Sequence, residues 1–356
     1  MNKLVLIPII IGAALVTAGG IALGVGLATA KTAEQKVNPY QFDEDFNNFN
    51  INLDTADFEI KASEGSEKKV VVEETEKYQH KVSVSNNTLS VIHPDEKGKW
   101  FENIFSFSRY KYKVTVYLPA GNYGEFKFEG ATGDVTIPAG YTFNNVDIDI
   151  STGDIDFKGN VVNDLKTNVS TGYVKVVGSK AKTMNFTGST GNCTLENVEV
   201  ESSITANQST GKFTMKNSKC KNVNIITSTG DQIYENVNVD EKMDLNVSTG
   251  DVVLTKVNCQ NYKSVSSTGD VKLNEVLVAE HIDIETSTGD VDLYNSDAAT
   301  LKIKTDTGHV KGNLLTDHIF YVTNNTGTPD VPKSTTGGLC EIETHTGSIR
   351  ITIGAK

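Results

Sequence analysis

The residues whose spacing could support chemistry are aspartates that each directly follow a Thr-Gly pair. They are Asp134, Asp154, Asp231, Asp251, Asp270 and Asp290. The last four occur at intervals of 19 or 20 residues. Stacked carboxylates could bind a hard cation such as Ca²⁺. The favoured alternative is that each aspartate accepts backbone N–H bonds in its own turn, because the denser Gly-Gly-x-Gly-x-Asp calcium repeat is absent from the sequence.

A second set of acidic residues raises the alternative of glycoside hydrolysis, which needs two carboxylates about 5–10 Å apart in a cleft. Acids predicted to face outward in two groups are Asp147, Asp149, Asp156, Asp283, Glu285 and Asp292. Any regular acidic surface meets this distance, and the six histidines occupy no recurring position. A polysaccharide-active enzyme is therefore the remote alternative, and we expect neither catalysis nor a cofactor.

These acids belong to a repeat of 19 or 20 residues that is anchored on a glycine. The glycines are Gly133, Gly153, Gly172, Gly191, Gly211, Gly230, Gly250, Gly269, Gly289, Gly308, Gly327 and Gly347, and threonine precedes every one. The residue seven before each glycine is apolar or aromatic, and so is the residue four after it except at Gly312. Polar residues alternate with these positions, and a period of two indicates strands with one buried face.

A unit of about 20 residues is too short for a propeller blade of about 40. It suits one rung of a β-solenoid, in which each strand pairs in parallel with its counterpart one rung away. We predict an all-β parallel β-solenoid with about 12 regular rungs, preceded by irregular rungs. At each corner the glycine should adopt a positive φ, and the threonines should form a stacked seam with their methyl groups turned inward.

The sequence divides into four predicted segments. Residues 4–30 carry no charge, and about 20 apolar residues suffice to span a bilayer. Residues 1–30 are therefore predicted to be a transmembrane anchor, with a cleaved signal peptide as the alternative because the segment ends in Ala-Thr-Ala. Residues 31–40 are a predicted linker, residues 41–125 irregular N-terminal rungs or a cap, and residues 126–356 the regular solenoid.

The net charge and the cysteine positions bear on two further kinds of site, for nucleic acids and for metals. The net charge of −12 opposes nucleic-acid binding, which needs a basic surface. The four cysteines, Cys193, Cys220, Cys259 and Cys340, fall at inward positions without metal-ligand spacing. They are predicted to be buried small apolar residues.

Two parts of the chain could contact partners. A loop at residues 93–110 holds aromatic and cationic side chains that either bind a partner or cap the solenoid end: Trp100, Phe101, Phe105, Phe107, Arg109 and Tyr110. At the C-terminal end, the sequence stops directly after a predicted strand, RITIGAK. An exposed strand edge invites pairing with another chain, so we expect end-to-end self-association there or coverage by a partner.

The Thr-Gly-Asp corners, the apolar N-terminal segment and the strand KVTVYLPAG resemble the bacterial "putative adhesin" β-strand-repeat family of unknown function, related to GIN-type adhesin-head domains. The resemblance covers roughly residues 40–356. It implies a right-handed β-helix on the cell surface, without catalytic residues, and a link in some members to the envelope stress response of Gram-positive bacteria. The aspartate is replaced by Tyr173, Asn192, Lys212, His309, Thr328 and Ser348, so an unbroken carboxylate row is not expected.

Together these features predict a single-pass membrane protein whose extracytoplasmic β-solenoid is a non-catalytic scaffold for binding or signalling in the cell envelope. Its expected partners are the membrane and a protein or glycan of the envelope, on a Gram-positive cell surface. An adhesin that binds host or other extracellular partners is the alternative.

Overall fold

A computed structural model describes residues 35–42, 44–76, 78–93 and 112–354. Within these residues the chain forms β-strands, and no helix is long and apolar enough to cross a membrane. The predicted anchor at residues 1–30 and the aromatic loop from Trp100 to Tyr110 lie outside the described residues.

The strands fall into three groups along the chain. The N-terminal group is β1 (Gln35–Gln41), β2 (Asn48–Thr55), β3 (Asp57–Ala62), β4 (Lys69–Thr75), β5 (Lys81–Ser85), β6 (Thr88–Ile92) and β7 (Lys113–Leu118). The central group is β8 (Gly121–Thr132), β9 (Val135–Ile137), β10 (Tyr141–Thr152), β11 (Ile155–Phe157), β12 (Asn160–Val161), β13 (Asp164–Thr171), β14 (Val174–Val177), β15 (Lys180–Thr190), β16 (Cys193–Glu196), β17 (Glu199–Thr210), β18 (Phe213–Thr229), β19 (Gln232–Thr249), β20 (Val252–Thr268), β21 (Val271–Asn274), β22 (Leu277–Thr288) and β23 (Val291–Thr307). The C-terminal group is β24 (Val310–Leu314), β25 (His318–Asn324), β26 (Gly338–Thr346) and β27 (Ile349–Ile353).

The central strands form the predicted parallel β-solenoid. On the side that precedes the glycine corner, β2, β8, β10, β13, β15, β17, β18, β19, β20, β22 and β23 pair in parallel in that order. The register aligns each repeat with the next, so that Thr152 lies beside Thr171 and Thr249 beside Thr268. About 11 turns of the coil result.

The core is one continuous column of apolar side chains. Positions seven before and four after the glycine are buried throughout the central rungs, as Met184 and Leu254 illustrate. The four cysteines are free and buried, as predicted. Burial raises the pKa of the Cys220 and Cys259 thiols to about 12. These thiols are therefore protonated at neutral pH and pack as small apolar groups.

The corner glycines are required for two separate reasons. Gly250 has a φ of +144°, a conformation that residues with a Cβ resist. A Cβ at this position would also collide with the carbonyl oxygen of Gly230, one rung earlier. The same collision recurs along the column of glycines. A rung can therefore stack this closely on the preceding rung only where glycine occupies its own corner, as Gly133 does against the carbonyl oxygen of Ala56.

The threonines before these glycines do not turn inward as predicted. Thr152, Thr249 and their counterparts are exposed. Their carbonyl oxygens accept the N–H of the glycine in the preceding rung, as Thr249 does from Gly230 at 2.8 Å. The inward position lies two residues earlier, where Thr305 donates its hydroxyl to the Gly289 carbonyl at 3.1 Å.

A second corner lies six residues after the glycine. Its residues have positive φ without being glycine in most rungs: Asn197, Asn217, Asn236, Lys256, Glu275 and Asn295. Asparagine adopts this left-handed conformation more readily than most residues. The frequency of asparagine at this position is a sequence signal for a corner.

The N-terminal end is closed by antiparallel strands. β4 pairs with β7 on one side and with β1 on the other, while β5 and β6 form a hairpin beside β2. β1 overlaps the predicted linker at residues 31–40. Because its edge carries Lys36 and Pro39, further pairing at this end is disfavoured.

The C-terminal end departs from the predicted order of rungs. β26 stacks directly on β23, with Leu301 beside Cys340. β25 precedes β26 in sequence but pairs with its other edge, with Phe320 beside Cys340. Strand β26 thus lies between β23 and β25 in the stack, although β25 comes before β26 in the sequence.

This inversion corrects the predicted order and number of the rungs. Gly347, not Gly327, stacks on Gly308, so Gly327 and the following Thr328 leave the ladder and the count of regular rungs falls from about 12 to about 11. On the side that precedes the glycine corner, the outermost strand at this end is β25, whereas the terminal strand β27 lies on another side and pairs with β24.

Candidate functional site

The aspartate row forms a hydrogen-bonded ladder along one corner, here called the aspartate ladder (Asp134, Asp154, Asp231, Asp251, Asp270 and Asp290). Oδ1 of Asp251 accepts the backbone N–H of Asp270 at 2.9 Å, and Oδ1 of Asp270 accepts that of Asp290 at 3.0 Å. Each carboxylate therefore binds the next rung, where the sequence predicted a bond within its own turn. The ladder links rungs at a corner in the same way that main-chain bonds link them along the strands.

The second oxygen of several ladder carboxylates faces a lysine. Lys272 Nζ lies 2.9 Å from Asp270 Oδ2 and 3.7 Å from Asp251 Oδ2, and Lys311 Nζ lies 3.8 Å from Asp290 Oδ2. The hydrogen bond from the Asp290 amide, aided by Lys272, holds the pKa of the Asp270 carboxyl below its usual value. These neighbours favour the ionised row without a cation, although calcium binding at Asp231, Asp251, Asp270 and Asp290 stays a prediction.

Two of the substitutions in the ladder keep its function as an acceptor. Asn192 Oδ1 accepts the Lys212 amide at 2.9 Å, and His309 Nδ1 accepts the Ser348 amide at 2.9 Å. The lysine side chain has no acceptor, and the tyrosine hydroxyl lies at the far end of its ring, so the ladder is interrupted after Tyr173 and Lys212. The feature shared by aspartate, Asn192 and His309 at this corner is therefore a hydrogen-bond acceptor for the amide of the next rung. A negative charge is not shared by all of them.

We predict that Asp251→Ala lowers the free energy of unfolding by about 1 kcal/mol, the net value of one hydrogen bond, whereas Asp251→Asn loses less because its Oδ1 can still accept the Asp270 amide. Urea unfolding followed by circular dichroism measures both variants. Equal losses would show that charge, not the acceptor, stabilises the ladder. Repeating the titrations with calcium tests the metal interpretation, which requires calcium to stabilise the wild type but not Asp251→Asn.

The outward acids are mostly engaged with cations or amides of neighbouring positions. Asp156 pairs with Lys158 at 2.8 Å, Asp292 with Lys311 at 3.4 Å, and Asp149 accepts from Asn168 at 3.2 Å. Asp147 and Asp283 face Lys166 and Lys263 at 3.5 and 3.8 Å. Within the described ranges, no three histidine, cysteine or acidic side chains converge as metal ligands. All of these pairs except Asp156–Lys158 connect neighbouring rungs, and the spacing of the acids reflects the repeat.

Two depressions in the described part of the chain are open to solvent. One lies beside the second corner and is lined by Asn197, Val198, Glu199, Asn217, Ser218, Lys219, Asn236 and Asn238. Asparagines of neighbouring rungs hydrogen-bond to each other there, as Asn236 Nδ2 donates to Asn217 Oδ1 at 3.0 Å. The other lies at the N-terminal end, around Phe42, Glu67 and Lys68. In the first depression the Ser218 hydroxyl donates to the Lys216 carbonyl oxygen at 2.6 Å.

Sequence reasoning missed a buried polar cluster at the C-terminal end. Asp297 Oδ1 lies 2.7 Å from Nε2 of the buried His318 and accepts the Ala298 amide at 2.8 Å. Its Oδ2 accepts both the amide and the hydroxyl of Thr316, each at 2.7 Å. These donors hold the pKa of Asp297 below its usual value against the effect of burial. Asp297 lies eight residues after Gly289, at a position whose counterparts Asn238 and Asn258 are exposed, so the repeat pattern predicted an outward side chain there.

A second missed cluster lies in the N-terminal cap. The ring of Tyr78 stacks between His93 and Tyr112, with centroid distances of 4.1 and 4.2 Å. Next to it, the buried His80 Nδ1 lies 3.2 Å from Glu74 Oε2. Burial lowers the pKa of His80 despite this carboxylate. His93 and Tyr112, which are far apart in the sequence, thus pack on opposite faces of one ring.

The family of this chain follows from its sequence. Two overlapping stretches, residues 46–231 and 191–352, match the sequence profile of the Toastrack DUF4097 family. The chain belongs to this family. The match spans the solenoid, so the predicted resemblance to a β-strand-repeat family of unknown function is confirmed. No curated protein matches the Toastrack chain significantly.

Solved structures similar to the Toastrack chain include three proteins of low identity. A "putative lipid binding protein" from Parabacteroides distasonis is 14% identical with a TM-score of 0.31, covering 78% of this chain and 94% of that one. A "putative adhesin" from Bacteroides fragilis is 14% identical with a TM-score of 0.24, covering 90% and 97%. A "putative cell adhesion protein" from Clostridium sporogenes is 10% identical with a TM-score of 0.18, covering 90% and 99%. At such low TM-scores, what those proteins bind does not extend to this chain.

Proposed function

We propose that this Toastrack chain is a membrane-anchored, extracytoplasmic scaffold that binds a partner in the cell envelope and takes no part in catalysis. The proposal rests on the observation that the acidic side chains of the solenoid are bonded to neighbouring rungs. Ladder carboxylates bind amides of the next rung, and outward acids pair with lysines on neighbouring strands. Side chains committed in this way are suited to holding a rigid surface.

The anchored location is proposed from the apolar segment at residues 4–30. A bilayer-spanning helix of that length would place the acidic solenoid next to the membrane. A rod of about 11 rungs at roughly 4.8 Å per rung is about 50 Å long. Such a rod reaches the inner layers of a thick wall more readily than partners beyond it, which favours an envelope partner over a host partner.

Envelope binding is tested with the full-length chain in mild detergent, co-sedimented with purified sacculi of the organism and, separately, with host matrix particles. Each arm is run with calcium and with a chelator. We expect retention by sacculi and not by host matrix. Retention only by host matrix would support the adhesin alternative and contradict the envelope proposal, and retention by neither would contradict both.

Anchoring needs a separate measurement because it does not depend on the ligand. Cells that express the full-length chain are fractionated, and the membranes are washed with alkaline carbonate. We expect the chain to stay in the membrane pellet and to be digested by protease added to cells from which the wall has been removed. Release by carbonate, or protection from protease, would contradict the anchored extracytoplasmic placement.

A further inference from the structure

At the C-terminal end of the solenoid, the outer edge of β25 has no partner strand among the residues that the structure describes. Its inner edge pairs with β26 along all seven residues, from His318 beside Gly338 to Asn324 beside Thr344. No strand of the described residues pairs with its outer edge. Asn325 donates its amide to Thr344, so by alternation along the strand the N–H groups of Phe320 and Val322 point away from β26. These groups are available to another strand.

This edge lacks the features that normally prevent strand pairing. Natural edge strands carry lysine, proline or a bulge, or are very short. β25 has seven residues, HIFYVTN, without an acidic residue, lysine, arginine or proline. At the opposite end, β1 carries Lys36 and Pro39 and β5 begins with Lys81. The two ends of the solenoid therefore differ in their capacity to pair.

Apolar side chains surround the free edge on both faces. Phe320 and Val322 are partly buried against the core and end its apolar column. On the outer face, Tyr321 is 69% exposed, and Ile319 and Leu339, which lie side by side in register, are 44% and 42% exposed. Exposed apolar clusters of this kind mark contact surfaces.

We propose that two copies of this chain pair through their β25 strands, antiparallel about a two-fold axis at Tyr321, into one longer rod. The axis keeps Phe320 and Val322 of both copies on the core side. It places Phe320 opposite Val322 of the second copy, so the free N–H groups of both residues meet free carbonyls. Because the strand has no acidic residue, lysine or arginine, carboxylates and ammonium groups do not oppose one another along it, although each chain carries −12.

The occupant is a second copy because the edge matches itself. A foreign acidic or basic peptide would find no complementary charge on β25, whereas an identical strand needs none. An interface that uses the same patch on both copies closes at the dimer. The protected N-terminal edges then prevent growth into filaments.

Disulfide trapping in the full-length chain tests this geometry. Residues directly opposite in a non-hydrogen-bonded antiparallel pair have Cα atoms about 4.5 Å apart, within disulfide range. Tyr321→Cys should therefore give a reducible dimer under mild oxidation. The native cysteines are buried and should give little background. The matched control is Tyr173→Cys, another exposed tyrosine, 52% exposed in the middle of the rod, which should stay monomeric.

A charge substitution separates β25 pairing from association of the anchors. Sedimentation of the full-length chain in detergent should show that Tyr321→Lys lowers the dimer fraction at least tenfold, because two lysines would face each other across the axis. Tyr173→Lys should leave it unchanged. Equal crosslinking at both positions, no crosslinking at Tyr321, or a dimer insensitive to Tyr321→Lys would each overturn the proposal. Absence of a dimer would also mean that any occupant of this edge is a different molecule.

Discussion

Replacing Gly250 with alanine should destabilise the solenoid by about 3 kcal/mol or more. Two effects add at this position. The φ of +144° costs an alanine about 1–3 kcal/mol. The new Cβ also collides with the Gly230 carbonyl oxygen, and relieving an overpacked contact typically costs another 1–3 kcal/mol. Because the colliding atom belongs to the backbone, no side-chain rotation can relieve the contact, and two rungs must separate.

The matched control is Gly121→Ala. Gly121 has no positive φ in the range that alanine avoids, and a Cβ there meets nothing within 4 Å. Its substitution should change stability by less than about 0.5 kcal/mol. Thermal unfolding by calorimetry measures both variants, and a loss of 3 kcal/mol corresponds to a fall in Tm of about 6–12 °C. Similar melting temperatures for the two variants would show that the rungs are less tightly stacked than the glycine column requires.

The glycine column also explains why so much of the fold could be predicted. A corner position that favours glycine recurs once per rung. Apolar residues such as Met184 and Leu254 lie at a fixed number of residues from it. Period-two patterning then gives the strands and their inward faces. Registers follow because a shift of one residue would turn the buried face outward.

The order of the last rungs could not be read in the same way. The units at Gly327 and Gly347 carry the same motif, so local pattern does not decide which one stacks on Gly308. The choice depends on contacts between distant residues, in particular Gly338 lying against Ala299 and His318 reaching Asp297. Such contacts have no periodic signature.

The candidate site was partly predictable for a related reason. The spacing of Asp251 and Asp270 indicated a row, and the turn chemistry of aspartate indicated a backbone acceptor. That the acceptor serves the next rung follows only from the register of the corner. The cluster around Asp297 does not recur in the other described rungs. Because it has no counterpart there, the periodic pattern of the sequence could not reveal it.

Replacing Asp297 with asparagine should release the outermost strand. Asp297 accepts four hydrogen bonds, from His318, Ala298 and two groups of Thr316, and an asparagine has one oxygen for donors on both sides. Its amide would face the Thr316 N–H, donor against donor. Leaving a buried hydrogen-bonding group without its partner costs about 1–3 kcal/mol. The same change at Asp251, where only Oδ1 binds an amide, provides the matched control.

Hydrogen exchange of the β25 amides that bond to β26, those of Ile319, Tyr321 and Thr323, reports this local opening. At pH 6, Asp297→Asn should speed their exchange by about 10-fold or more, since each 1.4 kcal/mol is a factor of ten, whereas Asp251→Asn should leave it nearly unchanged. A comparable effect of both variants would show that β25 is held by general stability and not by Asp297.

The pH dependence of the same measurement identifies the carboxylate as the active group. The pKa of Asp297 is lowered in the folded chain, so its stabilising contribution is present above the unfolded value of about 3.9 and is lost as the pH falls through the folded pKa. A protonated aspartate, like asparagine, no longer accepts at both oxygens. The ratio of exchange rates between Asp297→Asn and wild type should therefore fall toward one below about pH 4. A ratio that stays constant with pH would assign the effect to the shape of the side chain and not to its charge.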